Sequence, residues 1–161
     1  MKIRTAKADD LDQITEIEQE CFPPAEAATR QSFENRLMYY PDHFWVLCDG
    51  AEIIGFVNGM VSSQKDLKDE MYDDAGMHQS DGSWQMIFGV DVRPQYRCRG
   101  YAGQLLRYVI EEAGAQGRDG LVLTCKERLV HYYAKFGFQD EGVSESVHGG
   151  VCWHQMRMRL K

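Results

Sequence analysis

The spacing of apolar residues changes period several times along the chain, and each change predicts an element. Lys2–Thr5 reads as a short strand. Leu11, Ile14, Ile17 and Cys21 recur at helical spacing behind Asp9 or Asp10, either of which can cap a helix, and Pro23-Pro24 stops it. Residues 25–37 form a second, more mixed helical segment that ends before Pro41. Residues 43–48 and 51–62 read as strands joined at Asp49-Gly50, a strong hairpin signal. Trp84, Met86, Phe88, Val90 and Val92 alternate as one face of a strand. Ala102, Leu105, Leu106, Val109, Ile110 and Ala113 match the apolar stripe of a helix packed on a sheet, closed by Gly114 and Gly117. Residues 121–125 are a short buried strand, and residues 127–136 a helix capped by Gly137. Phe138 starts another strand, and residues 151–159 alternate as the last. The order is strand, two helices, three strands, helix, strand, helix, two strands. It predicts one α/β (mixed α+β) domain over residues 1–161, with about six or seven strands and about four helices.

Two stretches fall outside this periodicity. Residues 63–82 are a polar, acidic excursion carrying Asp66, Asp69, Glu70, Asp73, Asp74 and Asp81; a loop this long is either a solvated flap or a substrate lid. Residues 22–29 turn between the first two helices, as a plain connection or as the rim of a substrate site.

Composition narrows the function classes. The net charge of −7 argues against a general nucleic-acid binder and is compatible with a cationic small substrate. No apolar run approaches the roughly 20 residues of a membrane helix, and Met-Lys-Ile-Arg-Thr reads as a strand rather than a secretory signal, so a cytoplasmic protein is expected. Cys21, Cys48, Cys98, Cys125 and Cys152 are scattered, without CxxC or Cys/His spacing. Neither disulfides nor a metal site are expected.

The candidate chemistry lies where the 84–92 pattern meets the 102–113 stripe. Val90-Asp-Val-Arg-Pro-Gln-Tyr-Arg-Cys-Arg-Gly-Tyr-Ala-Gly103 runs from a strand end through Pro94 into a helix start crowded with arginine and glycine. A helix N-terminus offers unpaired N–H groups and a partial positive charge, which suits a pyrophosphate. Gly100 permits close backbone approach, and Arg97 and Arg99 add permanent charge.

Arg97-Cys-Arg-Gly-Tyr-Ala102 resembles the R/Q-x-x-G-x-G/A acetyl-coenzyme A motif of the GNAT acetyltransferase superfamily. Leu123-Thr-Cys-Lys-Glu-Arg-Leu-Val-His-Tyr-Tyr-Ala-Lys-Phe-Gly-Phe138 is similar to its second signature, in the form found in the serotonin (arylalkylamine) N-acetyltransferase branch. One motif alone is weak; the pair, about 30 residues apart and set on strand, helix and helix end, is a strong signal.

The resemblance implies a GNAT-like central twisted mixed sheet and acetyl-CoA as co-substrate, without a metal. It implies that the backbones of Val90 and Val92, beside Asp91, pair with the pantetheine arm. Cys98, Arg99, Gly100, Tyr101, Ala102 and Gly103 would wrap the pyrophosphate, with Arg97 and Arg99 free to face outward. It makes Tyr133 the general acid toward the leaving thiolate. The acceptor would be the primary amine of a small molecule, arylalkylamine or polyamine-like, attacking directly. The alternatives are a protein or peptide amine, or a non-catalytic acyl-CoA-binding module. A homodimer is common in the family.

The pattern departs from this branch at the base. Met86 and Phe88 stand where its vertebrate members carry histidines, which leaves Glu26, Glu70, Asp91, His148, His154 or water as candidates. An acetyl-cysteine at Cys125 is the less favoured route. His43, His78 and His131 show no partner pattern and are expected to be solvated.

Overall fold

The computed structural model describes all 161 residues. After β1 (Lys2–Thr5), helix α1 (Leu11–Cys21) buries Ile14 and Ile17. The second helix starts later than the mixed 25–37 pattern predicts. Glu26 and Ala27 instead donate their N–H groups to the Pro23 carbonyl at 2.9 and 3.0 Å, making a turn. Thr29 Oγ1 then accepts from Ser32 N–H at 3.1 Å and sets the N-terminus of α2 (Arg30–Tyr39).

β2 (Phe44–Asp49) and β3 (Glu52–Asn58) form the expected hairpin, with Gly50 at φ 61° in the turn. The expected strand at 51–62 breaks at Gly59, and only β4 (Val61–Ser62) continues beyond it. Helix α3 (Glu70–Asp73) lies inside the 63–82 excursion. The expected strand at 84–92 also divides, into β5 (Trp84–Ile87) and β6 (Gly89–Val92). Then follow α4 (Tyr101–Ala115), β7 (Gly120–Cys125), α5 (Val130–Ala134), β8 (Gln139–Val143) and β9 (His154–Arg159).

These strands make two sheets, in the orders β1-β2-β3-β6 and β4-β5-β7-β9-β8. The mixed α/β architecture is as expected; the strands number nine because both long strands break, facing one another, at Gly59 and Phe88. A Cβ on Gly59 would lie 1.9 Å from the Met86 carbonyl oxygen, so only glycine permits this approach. Across the break, β5 runs parallel to β7 while β6 stays antiparallel to β3.

The break also corrects the single apolar face read over 84–92. Trp84 and Met86 pack with Met60, Met71 and Val122 beneath the 63–82 segment, with Phe88 against their edge. Val92, with Val90 alongside, packs instead with Leu105, Leu106 and Val109 of α4. Each fully buried side chain of this kind contributes about 1.5–3 kcal/mol. The opposite face of the first sheet is covered by α1 and α2, through Ile14, Ile17, Phe33 and Leu37 against Phe44 and Phe56. The 63–82 segment is no free flap, because Leu67, Met71 and Ala75 are buried.

The same region overturns the expectation for two histidines. His43 is buried, with Nδ1 3.0 Å from Gln85 Oε1, and His78 accepts from Val61 N–H at 3.0 Å. Their rings lie 5.1 Å apart. His131 is exposed. No helix is long and apolar enough to cross a membrane.

Candidate active site

A cavity of about 770 Å³ is walled by β6, the N-terminus of α4, the end of β7, α5, and the inner faces of α1 and α2. It has two chemically different ends.

At one end β6 is an edge strand. In an antiparallel ladder, alternate residues turn their N–H and C=O groups toward the partner strand. Arg93 N–H donates to the Ile54 carbonyl at 2.8 Å, which puts Asp91 in the same phase and leaves Val90 and Val92 with backbone groups on the open edge. The Val92 carbonyl there accepts from Cys21 Sγ and Arg97 Nε, each at 3.3 Å. The open edge can receive one more extended, amide-bearing chain.

Helix α4 begins beside it. Its N-cap, Gly100, has φ 81° and ψ 8°, and no side chain caps the helix. The first helical bond runs from Gln104 N–H to the Gly100 carbonyl, so the preceding N–H groups of the first turn stay free. Nothing stands within 4 Å of where a Gly100 Cβ would be, and Cys98 holds the left-handed φ of 62°. Arg97, Cys98, Gly100, Tyr101, Ala102 and Gly103 all line this end. Such a cradle of free N–H groups fits a pyrophosphate. Arg99 is outside the cavity wall, its guanidinium 5.6 Å from the Tyr96 ring.

Tyr133 stands midway, on α5, and lines the cavity while packing against the α4 core. Burial, with Cys125, Tyr132 and Asp91 adding to it, pushes its phenol well above the ordinary range, and no hydrogen bond opposes the shift. Tyr132, also on the wall, has its ring 5.2 Å away at 78°. Burial pushes the Cys125 thiol up to about 11. It is a thiol, not a nucleophilic thiolate, at neutral pH.

The other end is polar and roofed. Lys126 Nζ lies 2.8 Å from Glu26 Oε1, and Glu18 Oε2 accepts from Ala28 N–H at 2.8 Å. Tyr72 stacks on His148 at 5.0 Å and 13°, and its hydroxyl is 2.9 Å from Thr124 Oγ1. His148 Nε2 is 2.8 Å from the Glu26 carbonyl oxygen. A carbonyl only accepts, so Nε2 carries the proton and Nδ1 is left as an acceptor. Trp153 Nε1–H donates to the His148 carbonyl at 2.7 Å. From the 63–82 segment, Asp69 accepts from Ser146 Oγ and from Val147 N–H. Gly149 closes against Ala25 and Glu26, where any side chain would meet Glu26 Cγ at 2.7 Å.

Among the base candidates, Glu26 and His148 reach the cavity, while Glu70 and His154 lie outside its wall. Asp91 turns its carboxyl toward Glu18 of α1, fully buried. Burial, reinforced by Glu18, drives that carboxyl well above the usual range. Of the two positions where the expected histidines are replaced, Met86 is sealed in the core, whereas Phe88 does line the cavity. Glu18, Arg36, Tyr72, Thr124, Lys126 and Trp153 belong to the wall, and the sequence assigns none of them a role there. Glu18 had a signal: it follows Ile14 and Ile17 on the apolar stripe of α1, where a carboxylate needs a reason.

Residues 11–138 match the acetyltransferase (GNAT) family. The fold is similar to the GphF GNAT-like decarboxylase in complex with isobutyryl-CoA (20% identity, 100% of both chains, TM-score 0.84). It is also similar to the ribosomal-protein-S18-alanine N-acetyltransferase from Escherichia coli (16%, 99% and 94% covered, TM-score 0.73). A third is the PaiA N-acetyltransferase from Thermoplasma acidophilum in complex with coenzyme A (14%, 98% of both chains, TM-score 0.72). At these identities the likeness is one of fold, but the family match spans most of the chain. The protein belongs to the GNAT acetyltransferase family and is an acyltransferase that uses acyl-CoA.

Proposed function

We propose that the chain transfers an acetyl group from acetyl-CoA to the primary amine of a small molecule. The observation that carries this reading is the roofed polar end of the cavity. His148 and Gly149 close on the 22–29 corner, and Asp69 ties the same loop to the 63–82 segment, which leaves a chamber rather than a groove for a polypeptide. The likeness of residues 123–138 to the serotonin N-acetyltransferase branch supports the same acceptor class.

The residues divide the work. The free edge of β6 at Val90 and Val92 holds the pantetheine arm as an added strand, and the first turn of α4 holds the pyrophosphate. The Val90 backbone polarises the thioester carbonyl. A neutral amine attacks the carbonyl carbon and the C–S bond breaks. His148 Nδ1, with its tautomer set by the Glu26 carbonyl, receives the proton the nitrogen loses. Tyr133 donates to the departing sulfur. A phenol shifted this far upward holds its proton more tightly than a thiol, ordinarily near pKa 8.5. Its role is therefore a hydrogen bond to the developing thiolate, which leaves as the coenzyme A thiolate and takes its proton from solvent, while His148 returns the amine's proton to solvent.

A panel of small amines and N-terminal peptides with acetyl-CoA, followed by release of free thiol, tests the proposal. Turnover confined to small amines is expected. Turnover of peptides alone, or tight acetyl-CoA binding with no turnover at all, refutes it.

A further inference from the structure

The roofed end contains a buried cation with no carboxylate in contact with it. Thr29, Ser32 and Arg36 lie at i, i+3 and i+7 of the α2 face that lines the cavity. The Arg36 side chain is 97% removed from solvent, since the residue is 3% exposed. Its partners are neutral: Nη1 donates to Asn58 Oδ1 and Nη2 to the Tyr72 carbonyl, both at 2.9 Å. Its Cζ lies over two rings, 5.2 Å from the centre of Phe33 and 5.0 Å from that of Phe88. Nε is buried with no partner, and Arg36 forms none of the protein's ion pairs within 4.0 Å. Of the carboxylates nearby, Glu26 is engaged by Lys126 and Glu18 by Ala28 N–H, while Asp91 feels the Arg36 charge without contacting it and is driven toward its neutral acid by burial and Glu18.

A buried charge without a counter-ion is costly and is ordinarily paired. Here two neutral hydrogen bonds and two ring faces hold the guanidinium in one orientation while its charge has no contacting counter-ion. That is the arrangement of a receptor for a planar anion, because a guanidinium presents a rigid fork that matches a carboxylate. Phe88, Tyr72 and Trp153 supply aromatic surface beside it.

We propose that Arg36 is the counter-ion for a carboxylate on the acceptor, which makes the acceptor an aromatic α-amino acid rather than a plain arylalkylamine. The inference rests on the amine-acetylation reading above and gives that site its substrate class. The amino group faces the thioester between His148 and Tyr133, the side chain lies on the aromatic wall, and the carboxylate reaches Arg36.

The test is the wild-type protein with acetyl-CoA on two matched pairs, phenylalanine against phenethylamine and tryptophan against tryptamine. The expected result is a kcat/KM roughly 10- to 100-fold higher for the amino acid of each pair, the effect of one charge-assisted contact. Arg36→Lys and Arg36→Gln are expected to compress that ratio to within about threefold, whatever they do to absolute rates. A wild-type ratio near one, or one favouring the amines, overturns the proposal. Because Arg36 also holds Asn58 and Tyr72, a variant that does not fold leaves the wild-type ratio to decide. Calorimetry of N-acetylphenylalanine against N-acetylphenethylamine, with coenzyme A present, separates the two readings. Carboxylate-dependent binding without turnover of any amine upholds Arg36 and removes amine acetylation. Turnover of amines with no carboxylate preference in rate or binding removes Arg36 and upholds acetylation.

Discussion

Tyr133→Phe deletes one oxygen and leaves the ring where it is. The ring's neighbours, Tyr132 at 5.2 Å and Phe138 at 6.2 Å, keep their packing. The hydroxyl makes no hydrogen bond within the free protein, so its removal costs the fold no partner. Thermal stability should therefore hold within about 2 °C, since 1 kcal/mol moves Tm by about 2–4 °C at this size. Catalysis should respond quite differently. A hydrogen bond to a charged group is worth about 1.5–3 kcal/mol, or roughly 10- to 150-fold in rate. Because the bond forms only as charge develops on sulfur, the loss belongs in kcat, with acetyl-CoA affinity little changed. The hydroxyl also stays protonated across any practical assay, because burial holds its pKa above the ordinary value of about 10. A decline in rate between pH 7 and 10 therefore cannot belong to Tyr133 and should persist in the variant. Thiol-release kinetics at saturating substrates, calorimetry with acetyl-CoA and a thermal melt decide the matter together. A kcat within threefold of wild type beside a Tm several degrees lower would make Tyr133 a packing residue, and the reasoning fails.

Four further outcomes follow from the same structure. His148→Asn should lower kcat/KM by roughly 10²-fold with acetyl-CoA affinity little changed; an unchanged kcat/KM removes His148 as base. Asp91→Asn should stabilise the protein at pH 7 by about 1–3 kcal/mol, because an amide has no charge to desolvate beside Glu18. The folded carboxyl is raised above its unfolded value of about 3.9, so the gain should vanish below that pH and grow as pH rises toward the folded value, which denaturant midpoints at pH 3.5 and 7 can read. Burial, helped by the His43 charge, lowers His78 to about 4. Stability should thus be complete above the unfolded value of about 6.5 and fall toward pH 4, by about 1–2 kcal/mol once screening is allowed for. His78→Gln, whose amide oxygen can still accept from Val61 N–H, should flatten that slope, and parallel wild-type and variant slopes contradict the assignment. Gly59→Ala should cost more than about 3 kcal/mol in a melt, since its Cβ would lie 1.9 Å from a backbone oxygen; a near-neutral result means the strand break is soft.

The elements whose periodicity is set by one buried face were readable. The α4 stripe and the β2–β3 hairpin fall where the pattern put them, because helix and strand periods are local properties. The breaks at Gly59 and Phe88 were not readable, since residues 84–92 alternate without interruption and the strand divides only because its two halves pair with different neighbours. His43 and His78 were misread for a related reason: their partners Gln85 and Val61 come from strands whose positions depend on that division. At the site, the α4 cradle and Tyr133 carry short-range signatures. Arg36, Tyr72 and His148 meet from segments far apart in sequence, and no local pattern brings them together.

The double break explains why donor and acceptor chemistry meet at one place. Had β5 and β6 remained one strand beside β7, the backbone of Val90 would be bonded on both edges and could receive no substrate. Parting the strands frees that edge, but exposed strand edge and unpaired polar groups invite wrong partners. The gap is therefore closed by side chains aimed from outside the sheets: Phe88 from the break itself, Arg36 from α2, Tyr72 from α3 and His148 from the segment before β9. Asn58, the last residue of β3 before Gly59, accepts both Phe88 N–H on its carbonyl and Arg36 Nη1–H on its side chain. One residue thus ties the position of the strand break to the orientation of the guanidinium. Asn58→Ala should consequently weaken discrimination between carboxylate-bearing and plain amines while leaving the α4 cradle and its hold on coenzyme A unaltered. If coenzyme A affinity falls in step with that discrimination, the break and the guanidinium are not linked through Asn58 in the way the geometry requires.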